Sequence, residues 1–333
     1  MPEDLSEAAI CFRNIGISSI HPARQILSNV SGYVIRGGIT ALLGPSASGK
    51  SLFMRALSGR VHDLKVTGDF YIESDKVDHR DISNSISFVS QEDYLIGDLT
   101  PKETLFNSAA MKRNKPIFKV NEDVERLLDV FGLNEVADCT IGTPFVRGLS
   151  DDQRKMIDIG SELIAAPSIL FLDEPTSGLD ASIAFDVLKS IYDIARASDG
   201  KLSILLSIHQ PNSRLLELVD NIMVLGNGTM TFFGTVAQSV QHLMSIGFLP
   251  PDDYSPMDFF LQVSDKNFSS RTAVNFAGAI YWLSRLFVML HCATPYKDKH
   301  NETISNAISR YRKLDWIMVV LKTIILLTGT YFE

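Results

Sequence analysis

The stretch Gly44-Pro45-Ser46-Ala47-Ser48-Gly49-Lys50-Ser51 limits what this chain can fold into more than any other. It fits the spacing GxxxxGK[ST] at every fixed position, and its flanks matter as much as its letters. Before it, Ile39 to Leu43 is an unbroken apolar run with the length of a buried strand. After it, Leu52, Phe53 and Leu57 recur at helical spacing. A strand running into a glycine loop and then a helix lets successive backbone N–H groups converge on an anion, with the positive end of the helix dipole behind them. In such a loop Gly44 and Gly49 permit the turn, and Pro45, Ser46, Ala47 and Ser48 form its arch. Lys50 is expected to reach the β- and γ-phosphates of ATP, and the Ser51 hydroxyl to ligate Mg²⁺. The bland alternative is a glycine-rich turn that holds nothing.

The rest of the chain supports an α/β layer fold. Strand patterns recur at 168–173, 201–208 and 221–234, with a helical pattern over ASIAFDVLKSIYDIARA between the first two. The 221–234 segment carries Asn227-Gly228 between two apolar runs, a hairpin signal. Short strands are expected over residues 66–89, with Gly68 and Asp75 at turns. Residues 101–137 change character: Val124, Leu127, Leu128 and Phe131 have helical spacing, which suggests an inserted helical region. Near residue 262 the globular pattern stops.

Composition excludes some partners. The 333 residues carry 31 Lys+Arg against 39 Asp+Glu, a formal charge of −8, which argues against nucleic acid. The cysteines, Cys11, Cys139 and Cys292, are scattered without CxxC spacing, so neither zinc nor a disulfide framework is suggested and a reducing compartment fits. The acidic start MPEDLSEAAI has no basic region of the kind that opens a secretory signal.

A second half of the phosphate site follows. Ile169 to Leu172 is an apolar strand that ends on Asp173 and Glu174. A buried strand carrying an acid to its C-terminal end presents a metal ligand at the crevice of a parallel sheet. Asp173 is expected to hold Mg²⁺, and Glu174, on the other face of the strand, to polarise the attacking water. His209 ends the next strand in LLSIHQP and is placed to donate a hydrogen bond to a γ-phosphate, although a lone histidine is more often structural. Gln91 in FVSQED also ends a short strand. Its amide oxygen is a candidate for Mg²⁺ or water, against the plainer reading of a surface glutamine.

These pieces, in this order, resemble the nucleotide-binding domain of an ABC transporter. GPSASGKS resembles the Walker A loop, FVSQED the Q-loop, ILFLDEP the Walker B strand, TSGLD with Asp180 the D-loop, and SIHQP the switch-histidine segment. More narrowly, VSGYVIRGGITALLGPS, SFVSQEDYLIGDLTPKETL, LFLDEPTSGLD, SIHQPNSRLLELVDNIMVL and SPMDFFLQ look like the G subfamily of white-type half-transporters and their drug-resistance relatives. The resemblance covers about Ala9 to Leu261. It implies a P-loop NTPase (RecA-like) core with an antiparallel β subdomain and an inserted helical subdomain at about 92–160, and a helical tail after residue 262. It also implies that two such domains sandwich ATP head to tail, each site closed by the other domain's Leu-Ser-Gly-Gly-Gln signature, and that the domain lies on the cytoplasmic side of a membrane.

Here the signature is Leu149, Ser150, Asp151, Asp152, Gln153. Both glycines are replaced. A carboxylate about 4 Å from a phosphate charge costs roughly 4 kcal/mol per pair at an effective dielectric of 20. A Cβ also blocks the close backbone approach that glycine permits. Ser150-x-x-Gln153 meanwhile reads as a capping box with aspartates in the first helical turn. The expectation is a well-folded loop that no longer grips ATP. A homodimer would then have two weak sites, whereas a heterodimer with an intact partner signature keeps one competent site. The Gln153-Arg154-Lys155 ending is similar to altered signatures of the drug-resistance relatives. Family members often stack an aromatic on adenine before Walker A; IGISSI offers none, leaving Phe12 or Tyr33 as substitutes.

The tail contains two apolar segments, 273–292 and 316–332. The first carries Asn275 and Arg285, and the second has Lys322 near its middle. A span takes about 20 apolar residues, and a central charge costs about 2.5–3.5 kcal/mol. We expect an interfacial or first membrane helix at 316–332 and a non-spanning helix at 273–292. The chain ends before the membrane helices that follow this domain in white-type half-transporters, so the transport pathway is expected outside it. A fragment, a short natural form and a subunit that borrows a pathway all fit. The functional alternatives are an ATP-binding transporter subunit, a non-catalytic regulatory partner of another half-transporter, and a soluble P-loop ATPase, the last disfavoured by the tail.

Overall fold

The computed structural model describes residues 7–20, 22–61, 63–79, 81–112, 116–143, 145–209, 211, 213–245 and 255–264. The tail segments 273–292 and 316–332 lie outside them. Among the described residues no helix is long and apolar enough to cross a membrane. Met1–Ser239 with Met257–Lys266 form one compact unit; Val240–Pro256 and Asn267–Glu333 belong to another.

Two sheets build the first unit. The larger has six strands in the order β10-β9-β3-β8-β7-β6. Its strands are β3 (Ile39–Leu43), β6 (Ile86–Val89), β7 (Ile169–Leu172), β8 (Ser203–Ser207), β9 (Asn221–Gly226) and β10 (Thr229–Gly234). All pairings are parallel except that of the edge strand β10. Every residue of β3, β7, β8 and β9 is buried, as expected of parallel strands covered on both faces. The β9–β10 connection is the expected Asn227-Gly228 turn, both residues at positive φ.

The smaller sheet is antiparallel, in the order β2-β1-β4-β5. It comprises β1 (Ala8–Ser19), β2 (Arg24–Ile35), β4 (Leu64–Ile72) and β5 (Asp75–Val77). Ile10, Phe12, Ile15, Ile17, Leu27 and Val30 of this sheet share one core with Phe53, Met54 and Leu57 of α1 (Lys50–Leu57) and with Leu42, Phe171 and Met223 of the larger sheet. The helix that follows the phosphate loop is thus held in place by both sheets.

Two expectations are corrected here. Gly68 lies inside β4, where Arg13/Gly16 shift the β1–β4 register; a Cβ at Gly68 would come within 2.7 Å of the Arg13 carbonyl oxygen. The turn falls instead at Glu73-Ser74, both at positive φ, and Asp75 opens β5. Phe12 is fully buried with its ring edge-on to Phe53 at 5.3 Å, so it does not reach an adenine. Tyr33 lies edge-on to Phe233 at 4.6 Å.

Helices α2 (Pro101–Lys112), α3 (Ile117–Val130) and α4 (Asp151–Leu163) pack together, and α4 also meets β6 and β7. Helix α5 (Ala181–Ala197) follows β7. The SPMDFFLQ segment folds as a helix, Pro256–Val263, that buries Met257, Phe259 and Phe260, with Phe260 edge-on to Phe232.

Candidate functional site

The C-terminal ends of β3, β7 and β8 converge on one crevice, where a parallel sheet binds its ligands. The loop leaving β3 turns through Ala47 (φ +60°) and Gly49 (φ +98°) into α1. At Gly44 a Cβ would run into the Leu225 carbonyl oxygen and lie 2.7 Å from Ser48 Oγ, so only glycine fits there. Lys50 is buried, and its ammonium donates to the carbonyls of Gly44 at 2.9 Å and Pro45 at 3.3 Å. Burial lowers its pKa from the ordinary lysine value, while Glu174 and Asp173 pull the other way.

Opposite it, Asp173 is almost fully buried. Its Oδ1 accepts from Ser51 Oγ at 3.0 Å and from Ser207 Oγ at 2.8 Å, and its Oδ2 is buried without a hydrogen-bond partner. Such an orphaned carboxylate oxygen, beside a hydroxyl that begins a helix, fits a small hard cation. The glycine cradle above it, with a buried lysine and the start of α1, fits a polyphosphate. Ser51 and Asp173 thus present oxygens that could hold such a cation, below the cradle formed by Gly44 to Ser51.

Glu174 is past the end of β7, at φ +48°, so strand alternation does not set its direction as the sequence suggested. Its placement comes from bonds: its N–H donates to Ser207 Oγ at 2.7 Å, and its Oε2 accepts from Gln91 Nε2 at 3.0 Å. Gln91 thus presents its amide nitrogen to Glu174. His209 Nε2 lies 2.6 Å from Ser46 Oγ, which puts the histidine against the phosphate loop. A cavity of about 350 Å³ runs between Glu174, His209 and the loop Ser177 to Leu179. Asp180 is exposed and starts α5 at its N-cap position. A larger cavity of about 780 Å³ lies at the other end of the strands, by Arg60, Glu162 and Lys201, away from all of these groups.

The loop Leu149 to Gln153 starts α4. Its capping box is closed, with Ser150 N–H donating to Gln153 Oε1 at 3.1 Å, and Asp151 and Asp152 occupy the first turn. Ser150 and Asp151 are exposed. The next two residues reach back to the loop that carries Gln91. Arg154 forms a two-pronged pair with Asp93, at 3.1 and 2.8 Å, and buried Lys155 donates to the carbonyls of Ser90 at 2.8 Å and Gln91 at 3.1 Å.

Comparisons with known proteins give the family. The family model described as ABC transporter matches residues 27–177. The chain is 38% identical over 247 residues to ABC transporter G family member 22 of Arabidopsis thaliana, covering 73% of this chain and 32% of that protein. It is 33% identical over 245 residues to ABC transporter G family member 1 of Dictyostelium discoideum, covering 72% and 30%. It is 37% identical over 242 residues to the broad substrate specificity ATP-binding cassette transporter ABCG2 of Rattus norvegicus, covering 72% and 36%. The chain carries an ABC-transporter nucleotide-binding domain of the G subfamily.

The chain spans about a third of the length of these relatives. The fold of the G-subfamily domain is also that of a solved ATP-binding cassette of an ABC transporter, at a TM-score of 0.60 and 21% identity, over 72% of this chain and 95% of that one. Within the domain, the structure brings Lys50, Ser51, Gln91, Asp173, Glu174 and His209 to one crevice. Ser150, Asp151 and Gln153 line a separate cavity at the start of α4, and Asp180 sits at the N-cap of α5 beside the loop that lines the Glu174–His209 cavity. Two features escaped the sequence reading. One is Ser207, whose signal was a hydroxyl in the otherwise apolar run Ile204 to Ile208. The other is the grip of Arg154 and Lys155 on residues 90–93, which nothing in the sequence pairs because the partners are about sixty positions apart.

Proposed function

We propose that this domain binds MgATP and hydrolyses it at a site completed by a second, unlike nucleotide-binding domain, as the ATP-driven subunit of a G-subfamily transporter whose membrane part lies beyond the described residues. The domain then sits on the cytoplasmic side of the membrane. The observation that carries the reading is the contrast between an intact crevice and a carboxylate-bearing signature loop.

In this reading Lys50 and the amides of the 44–51 loop bind the β- and γ-phosphates. Ser51 and Asp173 hold Mg²⁺, with Gln91 at the edge of that site. Magnesium, when bound, neutralises charge shared between the phosphate oxygens. Glu174 takes a proton from the water that attacks the γ-phosphorus, and His209 donates a hydrogen bond toward the γ-phosphate. The residues 149–153 would face the partner's nucleotide, where Asp151 and Asp152 repel phosphate. Domains 1–262 and 263–333 are the corresponding division into nucleotide-binding domain and start of a membrane domain, with the helical subdomain at about 92–160.

A non-catalytic regulatory partner is the second reading, favoured by Asp151 and Asp152 alone. The bonded positions of Glu174 and His209 favour the first. The test is steady-state ATPase activity of the purified chain at high concentration, wild type beside Asp151→Gly/Asp152→Gly. Activity gained only in the double variant supports dependence on a partner's signature. Equal activity in both would make LSDDQ a working signature and remove the case for an unlike partner.

A further inference from the structure

Ser207 stands at the end of β8, fully buried, in contact with both acids of the crevice. Its hydroxyl has one proton and two lone pairs. The Glu174 N–H, 2.7 Å away, can only donate, so Ser207 Oγ must accept from it. Its single proton is then committed to Asp173 Oδ1 at 2.8 Å. The chain of bonds has one direction: Glu174 N–H to Ser207 Oγ, and Ser207 O–H to Asp173. No other orientation of the hydroxyl satisfies all three groups, and a buried backbone N–H without an acceptor is costly.

Two consequences follow from the geometry. The first concerns Asp173. Ser207 and Ser51 both bind Oδ1, at 2.8 and 3.0 Å, while Oδ2 is buried and unpartnered. The two hydroxyls fix the carboxylate's rotation and reserve Oδ2 as its bare oxygen. The second concerns Glu174. Its φ of +48° is a conformation that residues other than glycine seldom adopt, and the bond to Ser207 holds its N–H there. Ser177 N–H closes the turn on the Glu174 carbonyl at 3.1 Å.

We propose that Ser207 is a positioning residue, the hydroxyl that fixes the cation-holding carboxylate of Asp173 and the backbone of Glu174 relative to one another. This rests on the reading that Asp173 holds Mg²⁺ and Glu174 activates water. Ser207 touches neither phosphate nor water in that role; it acts through its two neighbours.

The test uses the full chain and a fluorescent ATP analogue, titrated with and without Mg²⁺. Ser207→Ala should raise the Mg²⁺ concentration needed for half-maximal tight binding about tenfold, the size typical of losing a bond to a metal ligand. Affinity without Mg²⁺ should stay within about twofold, because the 44–51 loop is untouched. Ser207→Thr, which keeps the hydroxyl, should restore most of the Mg²⁺ dependence. A merely structural serine would change stability without moving the Mg²⁺ midpoint, or change affinity with and without Mg²⁺ alike, and either outcome overturns the proposal. So does an unchanged Mg²⁺ titration in a folded Ser207→Ala chain. If Ser207→Ala fails to fold, Ser207→Thr and Ser207→Cys carry the comparison: Cys, a poor donor, must shift the Mg²⁺ midpoint and Thr must not, or the proposal fails. Asp173→Asn is the control for the underlying reading. Should it leave the Mg²⁺ titration unchanged, Asp173 is not the cation ligand, whatever Ser207 does.

Discussion

Asp158 lies on α4 one turn beyond Lys155, with 19% of its side chain exposed. Its Oδ2 has no hydrogen-bond partner and faces the Lys155 ammonium at 3.7 Å. Burial pushes its pKa up from 3.8 to about 6; Lys155 lowers it, and Asp93 and Glu162 add to the rise. Burial likewise lowers the pKa of Lys155. Desolvation therefore outweighs the attraction within this pair. The folded chain holds the Asp158 proton more tightly than the unfolded chain does. The stability this gives is fully present below pH 3.8 and is lost as the pH rises through about 6. At about 1.4 kcal/mol per pH unit, that gap corresponds to a loss of about 3 kcal/mol above pH 7, of which roughly 1 to 2 kcal/mol falls between pH 5 and 7. Asp158→Asn keeps the shape and removes the titration. Urea unfolding of both proteins at pH 5, 6, 7 and 8 gives the comparison. The wild type should lose roughly 1 to 2 kcal/mol relative to the variant from pH 5 to 7, and little more to pH 8. The amide also forfeits the attraction to Lys155, so the offset between the curves carries no information and the slope carries all of it. Parallel curves would refute the reasoning, because Asp158 would then titrate alike in both states.

Two further outcomes follow from the crevice. Lys50→Ala should weaken MgATP binding about 10- to 100-fold, the worth of one or two charge-assisted bonds, in equilibrium binding; unchanged affinity would remove Lys50 from the phosphate site. Glu174→Gln should leave ATP affinity within about twofold and lower turnover with a competent partner by about 100-fold or more, trapping the ATP-bound pair by size-exclusion chromatography. Unaltered turnover would take Glu174 out of the reaction.

The parallel sheet was legible because its strands are apolar runs bounded by glycine, acid or histidine. Ile39–Leu43 and the Asn227-Gly228 hairpin fall where the pattern puts them. The antiparallel sheet was less so. β1 buries residues on both faces and carries register shifts at Phe12/Ile15 and Ile15/Ile17, which break the alternation a strand is recognised by. Gly68 looked like a turn because glycine usually marks one, whereas here it lets β1 and β4 approach closely. In the site, motif spacing named the side chains but not their partners. Ser207 and Lys155 act on backbone groups that only the folded sheet brings near, and a buried lysine on carbonyls leaves no local pattern.

The closed cap at Ser150 also bears on how this sequence can change. Asp151 and Asp152 suit the positive end of α4, worth about 0.3–1 kcal/mol each, and glycine in a helical turn costs up to about 1 kcal/mol against a good helix former. A single replacement by glycine would weaken the start of the helix and leave one of the two carboxylates in place. Replacing both aspartates by glycine therefore lowers the stability of the start of α4 twice over. The residues that order the start of α4 are thus the same two that set this loop apart from a glycine-bearing one.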